Sequence, residues 1–395
     1  MANSSFEYLD LNNTEIAFSY KSDKELKRLR WLFSVMNNPA LVKLGSSVTP
    51  LLLKYNFPLV KPLVKATIFK QFVGGENILD TQRVIDLLYQ HKALTVLDYG
   101  AEAKTSEEDL DAVVAEISRA IELAASNVSV PIVSTKITAL ADNELLIKIQ
   151  SGEPLTVEEE EQRKKLIRRI DTICKKAYDH KVGVMVDAEE SWMQDAIDDL
   201  VSDMMESYNK NQVIVFNTFQ LYRKDKYDFL KFSYEKAMSR NYLLGAKLVR
   251  GAYMQKERAY AEDNNLDFLI HSTKENTDID YNKALTYCIE HYEHISSVCA
   301  SHNSKSNLLQ AHLIEKRQLD IKHPHLNFCQ LFGMSDNITF NLAQAGYNVA
   351  KYVPYAPLKE VVPYLIRRAQ ENTAVTDEMS RELKLISSEI KRRDI

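Results

Sequence analysis

The sequence offers little to a metal or to a disulfide. Its four cysteines, Cys174, Cys288, Cys299 and Cys329, are scattered with no CxxC spacing, which argues against zinc and disulfide frameworks and fits a reducing compartment. Positive charge is not in excess, because 50 Lys and Arg against 55 Asp and Glu leave a net charge of −5 and a pI near 6.1. A general attraction to nucleic acid is therefore missing. No apolar run approaches the ~18 residues that a membrane span requires. The stretch TPLLLKYNFPLVKPLVKATIFKQFVGG is broken repeatedly by Lys and Pro. The N-terminal MANSSFEYLDLNNTEIAFSY lacks a basic region followed by an apolar run, and its acidic residues argue against a transit peptide. It reads as the start of a cytoplasmic chain. There is no repeat or low-complexity tract, and no GxGxxG follows the first strand-like run, which counts against a Rossmann domain.

What is present is a chain of 395 residues, 45% hydrophobic and 27% charged, long enough for one large domain or two ordinary ones. Residues 23–90 read as helical, either packed on a core or in contact with a membrane surface. From about residue 94, short β-rich runs alternate with amphipathic stretches: LTVLDYG, VPIVSTKI, VGVMVDAEE, QVIVFNTF, GAKLVRGAY, SVCASHN, NFCQLFGM and NVAKYVPY. Ser106 and Asp109 suit the start of one intervening helix, Ser106–Asn127. Thr156 and Glu159 have capping-box spacing for another, Val157–His180. Eight β-then-α units in sequence predict a parallel (β/α)8 barrel, in which chemistry sits at the C-terminal ends of the strands. The polar residues there are Asp98, Lys136, Asp187, Asn217, Thr218, Lys247, Arg250, His302, Asn303, Gln330 and Tyr352. Their cationic surplus predicts an anionic ligand.

A further cluster lies in EVVPYLIRRAQENTAV, where helical spacing puts Tyr364, Arg367, Arg368 and Glu371 on one face. Alone it fits a solvated amphipathic helix or a bidentate anion clamp.

The motifs AKLVRGAYMQKE, FNTFQLYRKD, ASHN, QLFGMSDNITF, QAGYNVAKYVPYAP and PYLIRRAQEN, in this order and spacing, resemble those of proline dehydrogenases, flavoenzymes that oxidise L-proline. The likeness is to the monofunctional mitochondrial type and runs from roughly Phe72 to Asn372. It implies a distorted (β/α)8 barrel over residues 91–372 that holds FAD non-covalently, with its eighth helix over the mouth. An N-terminal helical segment, 1–90, precedes it, and a C-terminal helix, 373–395, follows. By the same resemblance Arg367, Arg368 and Lys136 grip the substrate carboxylate, and Tyr364 and Glu371 shape the arginine pair. Asp187 ties down a cation, and Leu331, Tyr253 and Tyr352 wall the proline ring. Ala188, Thr218, Gly251, Ala252, His302, Asn303 and Gln330 match flavin-contacting positions, and Lys274 a phosphate contact. Lys247 and Arg250 are both candidates for the cation beside the flavin, since relatives exchange the two residue types.

The resemblance further implies hydride transfer from proline C5 to flavin N5, giving Δ1-pyrroline-5-carboxylate, with electrons passed to a membrane quinone. A separate pyrroline-5-carboxylate dehydrogenase would take the product, and no metal or nucleic acid is implied. The neighbouring alternative is hydroxyproline oxidation. Beyond the family, a barrel aldolase with Lys136 or Lys247 as Schiff-base lysine, or a non-catalytic carboxylate sensor, would use the same cations differently.

Overall fold

The computed structural model describes residues 9–55, 57–100, 106–374 and 376–395. Eight strands follow one another as β1 (Leu94–Tyr99), β2 (Ile132–Thr135), β3 (Gly183–Val186), β4 (Val215–Gln220), β5 (Leu244–Val249), β6 (Ile295–Ala300), β7 (Leu326–Leu331) and β8 (Asn348–Tyr355). They form a closed barrel in the order β1 to β8. The expected run of eight strands is therefore present. Their residues are buried almost throughout, β3 and β4 at every position. That is the environment in which Val, Ile, Phe and Leu need no polar alternation. The chain divides into two compact units, a central one, Ala103–Cys329, and a terminal one, Met1–Glu102 with Gln330–Ile395.

In the central unit, β2 pairs with β3, β3 with β4, β4 with β5, β5 with β6 and β6 with β7, all parallel. Gly245 lets β5 lie close to its neighbour, since a Cβ there would collide with the Val215 carbonyl. The helix Glu107–Ala125 starts where Ser106 Oγ accepts the Asp109 N–H, and Val157–His180 starts with a complete capping box from Thr156 and Glu159. Both starts follow from side chains that satisfy otherwise orphaned amides. Each helix presents an apolar stripe inward, for example Leu166, Ile170, Ile173 and Ala177.

In the terminal unit, β1 and β8 pair parallel with Thr95 opposite Lys351 and Tyr99 opposite Tyr355. The QFVGG stretch runs beside β8, with Gly74 N donating to the Pro354 carbonyl at 2.8 Å and Ala356 N to the Gly75 carbonyl at 3.2 Å. The helices Asp23–Met36, Leu358–Ala374 and Thr376–Arg392 share one apolar core, in which Phe18, Leu26, Phe33, Phe72, Val361 and Ile386 are nearly or fully buried. The two ends of the chain thus complete each other's hydrophobic faces.

Candidate functional site

The central unit builds a cationic cluster at the ends of β2, β3 and β5. Lys136 follows β2 in extended conformation and leads into a 3-10 turn, Ile137–Ala139. Strand alternation puts Ser134 on the same face as Lys136. Asp187, the residue after β3, binds both. Its Oδ1 accepts from Lys247 Nζ at 2.5 Å and from Ser134 Oγ at 3.1 Å, while Lys136 Nζ lies 3.8 Å from Oδ2. Two ammonium groups therefore share one carboxylate. Both lysine side chains are largely withdrawn from solvent, 14% exposed for Lys136 and 8% for Lys247. A water-poor cationic site of this kind is suited to an anion.

Arg250, one residue after β5, belongs to a different cluster. Its guanidinium donates to Asp278 at 2.6 Å, to Ser301 Oγ at 2.6 Å and to Ser306 Oγ at 2.9 Å, and it lies 4.3 Å from the Tyr281 ring centroid. Four groups fix its plane, as a five-donor fork allows. Lys247 and Arg250 thus have different partners: the first joins Asp187, the second Asp278 and the loop after β6. There Asn303 caps the helix Ser304–Lys316 by accepting the Lys305 and Ser306 amides, with His302 beside it. Gly251 has φ +135°, and a Cβ would run into the Tyr222 ring, so only glycine lets the chain turn there. Ala252 follows, and Tyr253 leads into the helix Met254–Asp263, its ring 5.5 Å from Lys256 Nζ. Ala188 is buried after Asp187. Thr218 donates to the Val186 carbonyl at 2.7 Å, whereas Asn217 faces Asp198 at 2.8 Å on the helix Ser191–Tyr208. Lys274 is exposed at the first position of the helix Lys274–Glu290.

In the terminal unit, Gln330 is buried at the end of β7 and accepts from Thr339 Oγ1 at 2.8 Å. Leu331 is half-buried next to it. Tyr352 is buried in β8, its carbonyl accepting the Phe332 N–H at 2.9 Å. On Leu358–Ala374, Tyr364 is buried and the Arg368 guanidinium lies 5.3 Å from its ring centroid, one turn away, with Arg367 half-buried alongside. The Glu371 side chain lies outside the described residues.

Sequence reasoning missed the groups that brace these positions. Lys351, next to Tyr352, is fully buried and donates to Asp336 at 2.9 Å, to the Leu331 carbonyl at 3.4 Å and to the Met334 carbonyl. Tyr20 OH donates to the second Asp336 oxygen at 2.5 Å, and Glu382 accepts the Ser335 N–H at 2.8 Å. Burial opposes charge on Asp336, yet Lys351 and Lys21 hold its carboxyl below the usual range. Burial and then the charge of Asp336 raise the Glu382 carboxyl. The only signal in the sequence was a lysine inside an apolar strand. No group of three or more His, Cys, Asp or Glu among the described residues is arranged to hold a metal.

A family model described as proline dehydrogenase matches residues 81–381. The carbapenem antibiotics biosynthesis protein CarD of Pectobacterium carotovorum subsp. carotovorum is 33% identical over 324 residues, covering 82% of this chain and 83% of that protein. Human mitochondrial proline dehydrogenase 1 is 39% identical over 265 residues, covering 65% of this chain and 44% of the human protein, less than half its length. Among solved structures, proline utilization A from Bdellovibrio bacteriovorus, inactivated by N-propargylglycine, superimposes with a TM-score of 0.72 at 22% identity, covering 91% of this chain and 38% of that one. That last likeness is one of fold.

Proposed function

The chain belongs to the proline dehydrogenase family, and on that premise we propose that it oxidises L-proline to Δ1-pyrroline-5-carboxylate with FAD as cofactor and a membrane quinone as electron acceptor. The observation that carries the reading is the Lys136–Asp187–Lys247 cluster, a withdrawn cationic site fixed at three strand ends. Arg367, Arg368 and Lys136 hold the substrate carboxylate, because guanidinium forks match its two oxygens and keep their charge when desolvated. Asp187 holds Lys136 and Lys247 in place. Tyr352, Leu331 and Tyr253 pack against the ring and fix the face that its C5 presents. Tyr364 and Glu371 orient the arginine pair.

The donor set also fits a flavin dinucleotide. Arg250, Lys247, Asn303 and His302 supply cations and polar donors for a diphosphate and a heteroaromatic ring, and Arg250 is held rigid by Asp278, Ser301 and Ser306. Ala188, Thr218, Gly251, Ala252, Gln330 and Lys274 are the further positions assigned to it. When bound, FAD would supply the acceptor for the hydride that leaves C5, while the ring nitrogen gives up a proton as the C=N bond forms.

A quinone acceptor requires access to a bilayer, and one surface is suited to it. Residues 26–75 contain no Asp or Glu, in a chain that is acidic overall. Leu41, Leu44, Tyr55, Phe57, Leu59 and Leu63 are exposed there. Exposed apolar side chains in a segment whose charged residues are all basic fit the surface of an anionic membrane. No helix among the described residues is long and apolar enough to cross one. The test of the proposal is the visible spectrum of the purified protein before and after anaerobic L-proline.

A further inference from the structure

The turn that carries Lys136 is tied to the end of β3 by a carboxylate outside the chemistry described above. Glu189 is 3% exposed, its Oε1 accepts the Thr138 N–H at 3.1 Å, and its Oε2 accepts the Thr138 hydroxyl. Its backbone is clamped at both ends. The Glu189 N–H donates to Gln194 Oε1 at 2.6 Å, and its carbonyl accepts from Gln220 Nε2 at 2.7 Å. Gln194 is in turn anchored by Asp198 at 2.9 Å. With its backbone clamped, the carboxylate is a fixed post, and what it holds is the turn Ile137–Ala139, in which Thr138 and Ala139 are half-buried and which begins directly after Lys136. Burying a carboxylate is costly, and here both oxygens are spent on one threonine. Removing that grip frees the turn and, with it, the stem of Lys136.

We propose that Glu189 is a positioning residue for substrate binding: through Thr138 it fixes the direction in which Lys136 presents its ammonium to the substrate carboxylate. The proposal rests on the reading of Lys136 as a carboxylate ligand. Ionised, Glu189 accepts both Thr138 donors; protonated, it loses part of that capacity and the grip loosens. Burial pushes Glu189 up to about 7, with the Thr138 hydrogen bonds and the charge of Lys136 opposing the rise and Glu190 adding to it. The grip therefore changes in the neutral range.

The test uses flavin-loaded enzyme and two readouts: binding of tetrahydrofuran-2-carboxylate, which keeps the ring and carboxylate but has no amine to oxidise, and KM and kcat for L-proline. Glu189→Gln and Thr138→Val should each weaken binding and raise KM about three- to tenfold with kcat within about twofold, as expected for lost uniform binding. In a Lys136→Met background neither should add more than about 1.5-fold, because the two act through one contact. The wild-type KM should rise from about pH 8 to about pH 6, and Glu189→Gln should flatten that rise. Equal weakening in both backgrounds overturns the proposal, as does unchanged binding in folded, flavin-loaded Thr138→Val. Unchanged binding in Lys136→Met alone overturns the underlying reading of the lysine, and that single variant identifies the failure.

Discussion

Two lysine–aspartate pairs in this protein use the same chemistry for different ends. In the central unit Lys136 and Lys247 share Asp187, and Lys136 keeps 14% of its side chain exposed. In the terminal unit Lys351 is 1% exposed, and its ammonium is spent on Asp336 and two backbone carbonyls, while Tyr20 takes the other Asp336 oxygen. The first arrangement gathers two ammonium groups around one carboxylate near the C-terminal ends of three strands. The second is closed, each donor answered by an acceptor of the chain itself. Residue types alone therefore do not tell two buried ion pairs apart, whereas their partners do.

The largest expected effect breaks the closed pair. Lys351→Met leaves Asp336 buried with its main counter-charge gone, and should cost about 3–5 kcal/mol of stability in denaturant unfolding. Lys136→Met leaves Asp187 still paired with Lys247 at 2.5 Å and should cost less stability than Lys351→Met while impairing substrate binding. Comparable unfolding costs would erase the distinction between the two pairs.

The arginines sharpen the open side. In the proposed site Arg367→Met or Arg368→Met would remove one charged partner of the substrate carboxylate, and should lower kcat/KM by the equivalent of about 2–5 kcal/mol while FAD is largely retained. Unchanged kcat/KM would make the pair a solvated helix face.

Glu189 gives a pH effect of intermediate size. Its folded-state pKa of about 7 lies above the ordinary 4.5, so the folded state binds this proton more tightly than the unfolded chain. Stability from that preference is full below about pH 4.5 and is lost as pH rises through about 7, a total of about 3 kcal/mol. Glu189→Gln should remove this loss, measured as a shallower fall in unfolding free energy between those pH values.

The smallest effect concerns the ring. If Tyr352, buried in β8, packs against the substrate ring as proposed, a 4-hydroxyl is left little room, and stranding it costs roughly 1–3 kcal/mol. The preference for L-proline over trans-4-hydroxy-L-proline should be at least about tenfold in kcat/KM, and Tyr352→Ser should narrow it. Equal kcat/KM for both substrates would move the assignment to hydroxyproline.

The barrel was legible because its signals are local. Apolar runs announce strands buried on both faces, and Thr156 with Glu159, or Ser106 with Asp109, mark helix starts within three residues. The strand-end rule likewise pointed to Lys136, Asp187, Lys247 and Arg250, which the central unit sorts into two braced clusters. The braces themselves were not legible. Tyr20 and Asp336 are 316 residues apart, and Arg250 meets Ser301 and Ser306 across 51 and 56 residues. No periodicity encodes such pairings. Asn217 shows the opposite limit: a polar residue at a strand end that faces Asp198 of a packing helix.

The Lys136–Asp187–Lys247 cluster is proposed to serve proline oxidation by a bound flavin. The most direct test is the absorption spectrum of the purified protein, recorded anaerobically before and after L-proline. A flavin spectrum that L-proline bleaches, and that Lys136→Met bleaches only at higher proline concentration, is the predicted result. A colourless protein that cannot be reconstituted with FAD, or a flavin that L-proline leaves oxidised, would contradict it.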